Sequence, residues 1–373
     1  MITALLGFSL IQASLDVIPA RLKEMVEANR TPGAVVLVSV KGRVLLHEAV
    51  GFADVEAKQS LNTNSIFRIA SMTKPVTATA IMILADEGKL TLNDPIDRYL
   101  PEFREVKVQT PDGLKSPTSR IRIRHLLTHM SGINGNDPDP ITDEVKSKMT
   151  LSDYAKTLST TPLLFEPGSS ISYSGRGTSV AGRIVEVVSQ ERFESFVERR
   201  ILSPLNMTDT HFFLPPAKHN RLAKLYFVER KGLIADSEDR FRAGAKLANP
   251  AGGLYSTASD MAKFLSMFLN EGQKVLSRAA VDTMTQIQSF PTGAASDTTR
   301  YGFGFAVTTG PSNGPTYMPP GVFGHAGATG TYGWGDRSRG LVGIYMSQCM
   351  SDESGPLDMF RTVVNASIAP LRP

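Results

Sequence analysis

Ile69-Ala70-Ser71-Met72-Thr73-Lys74-Pro75 stands at the head of a long apolar run. Residues 76–88 (VTATAIMILADEG) place apolar side chains at Val76, Ala80, Ile81, Leu84 and Ala85, a helical stripe. Proline lacks an N–H and fits best near a helix start, so Pro75 puts the first turn close to Ser71. One turn on, Lys74 shares a face with Ser71, within reach of its hydroxyl. A serine hydroxyl is a poor nucleophile until a base takes its proton, and a partly buried lysine with a lowered pKa is such a base. Exposed amides at the helix start suit a developing oxyanion. A solvated serine beside a surface lysine would spell the same pattern, so the chemistry depends on the rest of the chain.

The 373 residues are enough for about two domains and a large core. The formal charge of +4 is spread along the chain without a basic block, which argues against nucleic acid as a partner. A single Cys349 rules out an internal disulfide and provides no metal cluster. No stretch has the apolar length of a membrane span. Ile2 to Ile11 is apolar and Gln12-Ala13-Ser14 could precede a cleavage point, but no Lys or Arg stands ahead of it. The balance leans towards a cytoplasmic protein whose first residues pack on the body.

Residues 15–30 read as an amphipathic helix with Leu22, Met25 and Val26 on one face. Gly33-Ala-Val-Val-Leu-Val-Ser-Val40 and Arg43-Val-Leu-Leu-His-Glu-Ala-Val50, joined by Lys41-Gly42, read as a β-hairpin. After Gly88 the texture turns to loops and helices. Apolar periodicity recurs in 176–189 and 191–202, and Thr257-Ala-Ser-Asp260 resembles a capping box opening another helix. Short strands return at 301–307, 321–324, 330–334 and 341–346, and a helix over 357–368 closes the chain. The expected fold is therefore α+β. An antiparallel sheet flanked by helices (1–75 and 251–373) faces a mainly helical lobe (76–250), with the site in the cleft between them. His125 and His129 are spaced i, i+4, but Leu126 stands where a zincin helix has Glu, so both read as structural.

Three motifs follow in order: Ser71-x-x-Lys74, Tyr173-Ser174-Gly175 and His325-Ala326-Gly327. With Phe67-Arg-Ile-Ala70, Ile123-Arg-His-Leu-Leu-Thr-His-Met-Ser-Gly132, Phe165-Glu-Pro-Gly168, Pro204-Leu-Asn-Met-Thr-Asp-Thr210 and Gly252-Gly-Leu-Tyr-Ser-Thr-Ala-Ser-Asp260, the chain resembles the serine β-lactamase/penicillin-binding-protein superfamily. The pattern is most similar to the class C branch, family VIII carboxylesterases in particular. The resemblance implies that Ser71 is acylated, that Lys74 and Tyr173 shuttle the proton, and that the N–H groups of Ser71 and Ala328 hold the oxyanion. Which of Lys74 and Tyr173 is the base stays open; a phenol of lowered pKa would suit either step. The resemblance implies no metal and no cofactor, and a small ester, amide or β-lactam as substrate; the oligomeric state stays undetermined.

Two departures point towards esters. The second motif ends in Gly175 where β-lactamases and peptidases carry an asparagine amide. The third begins with His325 where they carry lysine. Losing an amide and a fixed cation weakens recognition of peptidyl carboxylates, while neutral esters need neither. Gly327 completes the third motif, and Arg176 is a candidate replacement cation that keeps the D-peptidase alternative open. A non-catalytic protein retaining the scaffold is a further alternative. If His325 faces the substrate, activity towards anionic substrates should rise as pH falls through its titration. Gly310-Pro-Ser312-Asn-Gly314 spells a nucleophile elbow, but Pro315, Pro319 and Pro320 follow where a helix must begin, so a surface turn is the preferred reading.

Overall fold

Lys41 and Gly42 both take positive φ, 50° and 77°, the geometry of a two-residue hairpin turn matched to the twist of its strands. They join β1 (Gly33–Val40) to β2 (Arg43–Asp54), as the alternation of the sequence predicts. The computed structural model describes residues 14–137, 141–229, 232–235, 244–293, 299–310, 316–350 and 355–368. The apolar stretch Ile2–Ile11 and the turn at Ser312 lie outside the described residues. Ahead of the hairpin is α1 (Val17–Glu27). After it come β3 (Gln59–Ser60), β4 (Phe67–Arg68), a 3-10 turn (Ala70–Thr73) and α2 (Lys74–Asp86). The middle of the chain holds β5 (Val108–Thr110), β6 (Gly113–Lys115), α3 (Ile123–Leu127), α4 (Asp143–Lys148), α5 (Leu151–Ser159), α6 (Gly175–Ser189), α7 (Phe193–Val197), β7 (Tyr226–Glu229) and β8 (Gly232–Ala235). Then follow β9 (Tyr255–Ser256), α8 (Ala258–Leu269), α9 (Arg278–Thr285), β10 (Arg300–Tyr301), β11 (Ala306–Val307), β12 (Phe323–Gly327), β13 (Thr331–Asp336), β14 (Leu341–Met346), β15 (Cys349–Met350) and α10 (Gly355–Ser367).

The main sheet runs β10-β11-β12-β13-β14-β1-β2-β3 and is antiparallel throughout. β1 pairs with β14 in the register Val36↔Tyr345 and Leu37↔Ile344, so the two ends of the chain close one sheet. Successive side chains of a strand point to opposite faces. Ala34, Val36 and Val38 accordingly pack with Ile18 and Leu22 of α1 and Phe360 and Val364 of α10. Val35 and Leu37 join the main core, which also takes in α8 through Phe264, Leu265 and Phe268. Both faces of β1 are buried, which is why its sequence is an apolar run.

Helix α2 departs from the expected stripe. Every residue from Lys74 to Leu84 is buried, so the helix crosses the core instead of lying on it. Ser71 sits in the 3-10 turn that leads directly into it. The expected strand over 301–307 is broken into β10 and β11, with the Gly302 N–H donating to the Phe305 carbonyl at 2.9 Å across the break. The periodicity over 191–202 is α7 continued by a π-helical turn, Glu198–Leu202. The expected cap of α8 is present: Thr257 accepts from the Asp260 N–H at 3.2 Å.

Candidate active site

β4 and β9 pair as Phe67↔Ser256 and Arg68↔Tyr255, and the Ile69 N–H donates to the Leu254 carbonyl at 3.0 Å. This leash ends at Ala70, whose φ of 42° is left-handed, a conformation that costs a side-chain-bearing residue about 1–3 kcal/mol. Thr73 holds it: its hydroxyl donates to the Ala70 carbonyl at 2.7 Å and accepts from the Leu254 N–H at 3.2 Å. The strained turn presents Ser71 to the cleft. Its N–H, like others in the first turn of a helical segment, has no intrahelical partner.

Lys74 is 3% exposed, and its Nζ donates to Ser71 Oγ at 2.9 Å and to the Ala251 carbonyl at 2.8 Å. No carboxylate is among these partners. Burial alone pushes the amine down to about 7, so near neutrality a large fraction carries a free lone pair.

Tyr173 comes from the segment before α6 and hydrogen-bonds Ser71; the Lys74 ammonium lies 4.8 Å from its ring centre. Its phenol is not of the lowered pKa that would suit either step. Desolvation of the phenol raises it to about 12, outweighing the Ser71 hydrogen bond. Part of the ring is nevertheless open to the cleft, the residue being 40% exposed. Its other face is buttressed by His129, with ring centres 4.5 Å apart. His129 Nδ1 accepts from the Ser174 N–H at 3.1 Å, and the His129 carbonyl accepts from the Ser172 N–H at 2.9 Å. The imidazole thus braces the backbone on both sides of Tyr173. Burial, then the nearby Lys74, holds its pKa well below the ordinary imidazole value. Its backbone is left-handed at φ 58°, and nothing in the sequence pattern marks it as a brace. His125 instead accepts from the Arg122 N–H at 3.2 Å.

The opposite wall is β12. A Cβ at Gly327 would come within 2.1 Å of Thr331 Oγ1 and 2.4 Å of the Ile69 carbonyl, so only glycine lets the strand lie against the Ser71 turn. Thr329 and Thr331 donate to the carbonyls of Arg68 and Ile69. These bonds tie the turn after β12, where the exposed Ala328 lies, to the backbone that leads into Ser71. His325 is 8% exposed, with its ring centre 6.1 Å from that of Tyr173. Burial and the nearby Lys74 push it down to about 3. This corrects the titration expected from the sequence: no imidazolium forms in the ordinary working range.

Two other positions differ in character. Gly175 opens α6 directly above the amine; a Cβ there would lie 3.7 Å from Lys74 Nζ and 3.3 Å from the Ala251 Cβ. Arg176 is not the expected replacement cation. Its buried guanidinium turns into the helical lobe, donating to Asp137 Oδ1 at 2.6 Å and to the Asn134 carbonyl at 3.1 Å. Burial opposes charge on Asp137, but bonds from Arg176, Tyr154 and Lys146 hold its pKa below the usual range.

A serine and a buried lysine one turn apart, joined by a tyrosine from a separate segment, form a combination that acyl-transfer chemistry can use. A family profile described as Beta-lactamase matches residues 18–366. The chain belongs to the beta-lactamase family. Within this family it is 32% identical over 396 residues to an uncharacterized protein of Mycobacterium tuberculosis, the alignment covering 96% of each chain. It is 29% identical over 383 residues to Esterase EstB of Burkholderia gladioli, covering 94% of this chain and 95% of the esterase. The fold matches EstCE1, described as a hydrolase with promiscuous acyltransferase activity, with a TM-score of 0.83 at 23% identity, covering 96% of this chain and all of that one. It also matches simvastatin synthase (LovD) from Aspergillus terreus, with a TM-score of 0.81 at 22% identity, covering 95% and 97%. The protein is thus a serine hydrolase of the beta-lactamase fold.

Beside Ser71 this beta-lactamase-family site opens into a pocket of about 230 Å³. Its walls include Asp143, Lys146 and Ser147 from α4, and Ala245.

Proposed function

We propose that the protein cleaves short-chain carboxylic esters through an acyl-Ser71 intermediate. The observation that carries this reading is the 2.9 Å contact between Ser71 Oγ and an amine brought down to about 7. Neutral Lys74 takes the hydroxyl proton as Oγ attacks the ester carbonyl. The oxyanion sits between the N–H groups of Ser71 and Ala328. Tyr173, held protonated, passes its proton to the departing alkoxide and is reprotonated from the Lys74 ammonium. Water then attacks the acyl-enzyme along the same proton path in reverse, releasing the acid and restoring Ser71.

The choice of esters follows from what the site does not offer a substrate. Position 175 has no amide, His325 stays neutral, and Arg176 is committed to Asp137. A carboxylate-bearing peptide or penicillin finds no fixed cation at these places, whereas an ester carbonyl requires only the nucleophile, the proton path and the two amides. The name of the Burkholderia relative, an esterase, supports the same assignment. The test compares p-nitrophenyl butyrate with a chromogenic cephalosporin. Ester turnover should dominate, with Ser71→Ala abolishing both ester cleavage and fluorophosphonate labelling. Faster cephalosporin turnover would reverse the assignment.

A further inference from the structure

We infer that the 230 Å³ pocket beside Ser71 holds the acyl half of the substrate, and that Phe213 sets the acyl length it accepts. This rests on the ester reading above and specifies its substrate class. The pocket is walled by Ser71, Arg68, Phe212, Phe213, Leu247 and Tyr255 among others, while Lys74, Tyr173 and His325 stand outside its wall. The leaving alcohol must receive a proton, so it departs on the side where Lys74 and Tyr173 meet Ser71. The acyl group stays bonded to Oγ and extends the other way, into this pocket.

Its volume suits a short chain. It lies below the ~300–1,000 Å³ typical of drug-sized ligands and equals the liquid volume of roughly eight waters at ~30 Å³ each. Phe213 stands in its wall. Beyond this residue lies a second groove of about 1100 Å³, walled by Phe213 together with Leu151, Arg183, Val187, Arg192 and Ala248. Phe213 and Ala245 are the residues that border both spaces. Ala245 carries only a methyl group, so the phenyl ring is the larger part of the shared wall.

The backbone that leads to Phe213 is anchored. The His211 N–H donates to the Tyr255 carbonyl at 3.0 Å, and the Tyr255 N–H donates back at 2.8 Å. Next to it, Phe212 turns inward against Phe193, with ring centres 5.4 Å apart. Phe213 is left 39% exposed, projecting between the two cavities.

The experiment measures kcat/KM for p-nitrophenyl esters from acetate to decanoate in the wild type, Phe213→Ala, Phe213→Leu and Phe213→Trp. Wild type should favour the short members. Phe213→Ala should raise the octanoate-to-butyrate ratio by about tenfold or more, the scale on which pockets discriminate chain length. Phe213→Leu should move it the same way by less, and Phe213→Trp the opposite way. Far-ultraviolet circular dichroism checks folding; if Phe213→Ala does not fold, the Leu and Trp variants decide. An unchanged ratio in folded variants would overturn the assignment of Phe213 while leaving the ester reading standing. Failure of the wild type to cleave any ester would overturn both.

Discussion

On the proposed mechanism Lys74 sets the pH response, because burial lowers its pKa and no carboxylate is among its described hydrogen-bond partners. A base works in its deprotonated form, and lowering the amine from 10.5 to about 7 brings that form into range near neutrality. For a neutral ester, kcat/KM should therefore rise as pH increases through about 7 and level off above it. Tyr173, raised to about 12, adds no fall before strongly alkaline pH. Stopped-flow or initial-rate profiles between pH 5 and 10 check this. In the same window the ratio of rates for anionic and neutral esters should stay flat, because His325 at about 3 gains no charge there. Replacing the phenol in Tyr173→Phe should lower kcat by about 10²–10⁴-fold, the usual contribution of a positioned proton donor. Comparing single-turnover acylation with steady-state kcat would tell which step is slowed.

At the scale of elements, the site depends on short connections more than on long helices. His129→Phe keeps a ring behind Tyr173 but removes the Nδ1 that accepts from the Ser174 N–H. If that bond positions the tyrosine, kcat should fall about tenfold or more with KM little changed. A wild-type kcat in this variant would remove His129 from the site. Thr257→Ala removes the cap of α8 and should lower stability by about 1 kcal/mol in urea unfolding. The contrast between these two positions shows what a sequence discloses. The Thr257 cap and the Lys41-Gly42 turn obey local rules, and so does the alternation in β1. The Ser71–Lys74 contact was legible because the two residues lie one turn apart in the chain, and Tyr173 and His325 were singled out through family resemblance. His129 was not legible as a brace, since its partners Ser174 and Tyr173 are set by tertiary contact. Nor was the half-buried Asp137 beside Arg176, because a charge that looks free in the chain is neutralised only in the folded structure. The stripe read along α2 was too narrow for the same reason: periodicity reports the apolar residues, whereas the all-round burial of Thr77, Thr79 and Lys74 depends on what packs there.

The whole molecule is closed by pairing its first strands with its last, and α10 is locked over that seam from within. Arg339, 2% exposed, lies between β13 and β14 and donates from Nε to Asp336 Oδ2, from one terminal nitrogen to Asn365 Oδ1, and from the other to the Ile368 carbonyl at 3.2 Å. Asp336 also accepts from the Ser338 N–H, the Ser338 hydroxyl and the Arg339 N–H. Truncating only the cation strands a buried carboxylate and two acceptors of the last helix, so Arg339→Ala should cost about 3–5 kcal/mol. Replacing both charges with apolar groups, Arg339→Met with Asp336→Leu, should recover much of that loss, because the desolvation penalty disappears along with the attraction. Guanidinium unfolding of the two variants checks the difference. The folded fraction of each should hydrolyse esters at the wild-type rate, since Ser71, Lys74 and Tyr173 are held by α2, β4 and the start of α6. A single variant as stable as wild type would show that helix burial alone, through Phe360 and Val364, keeps the two ends of the chain together.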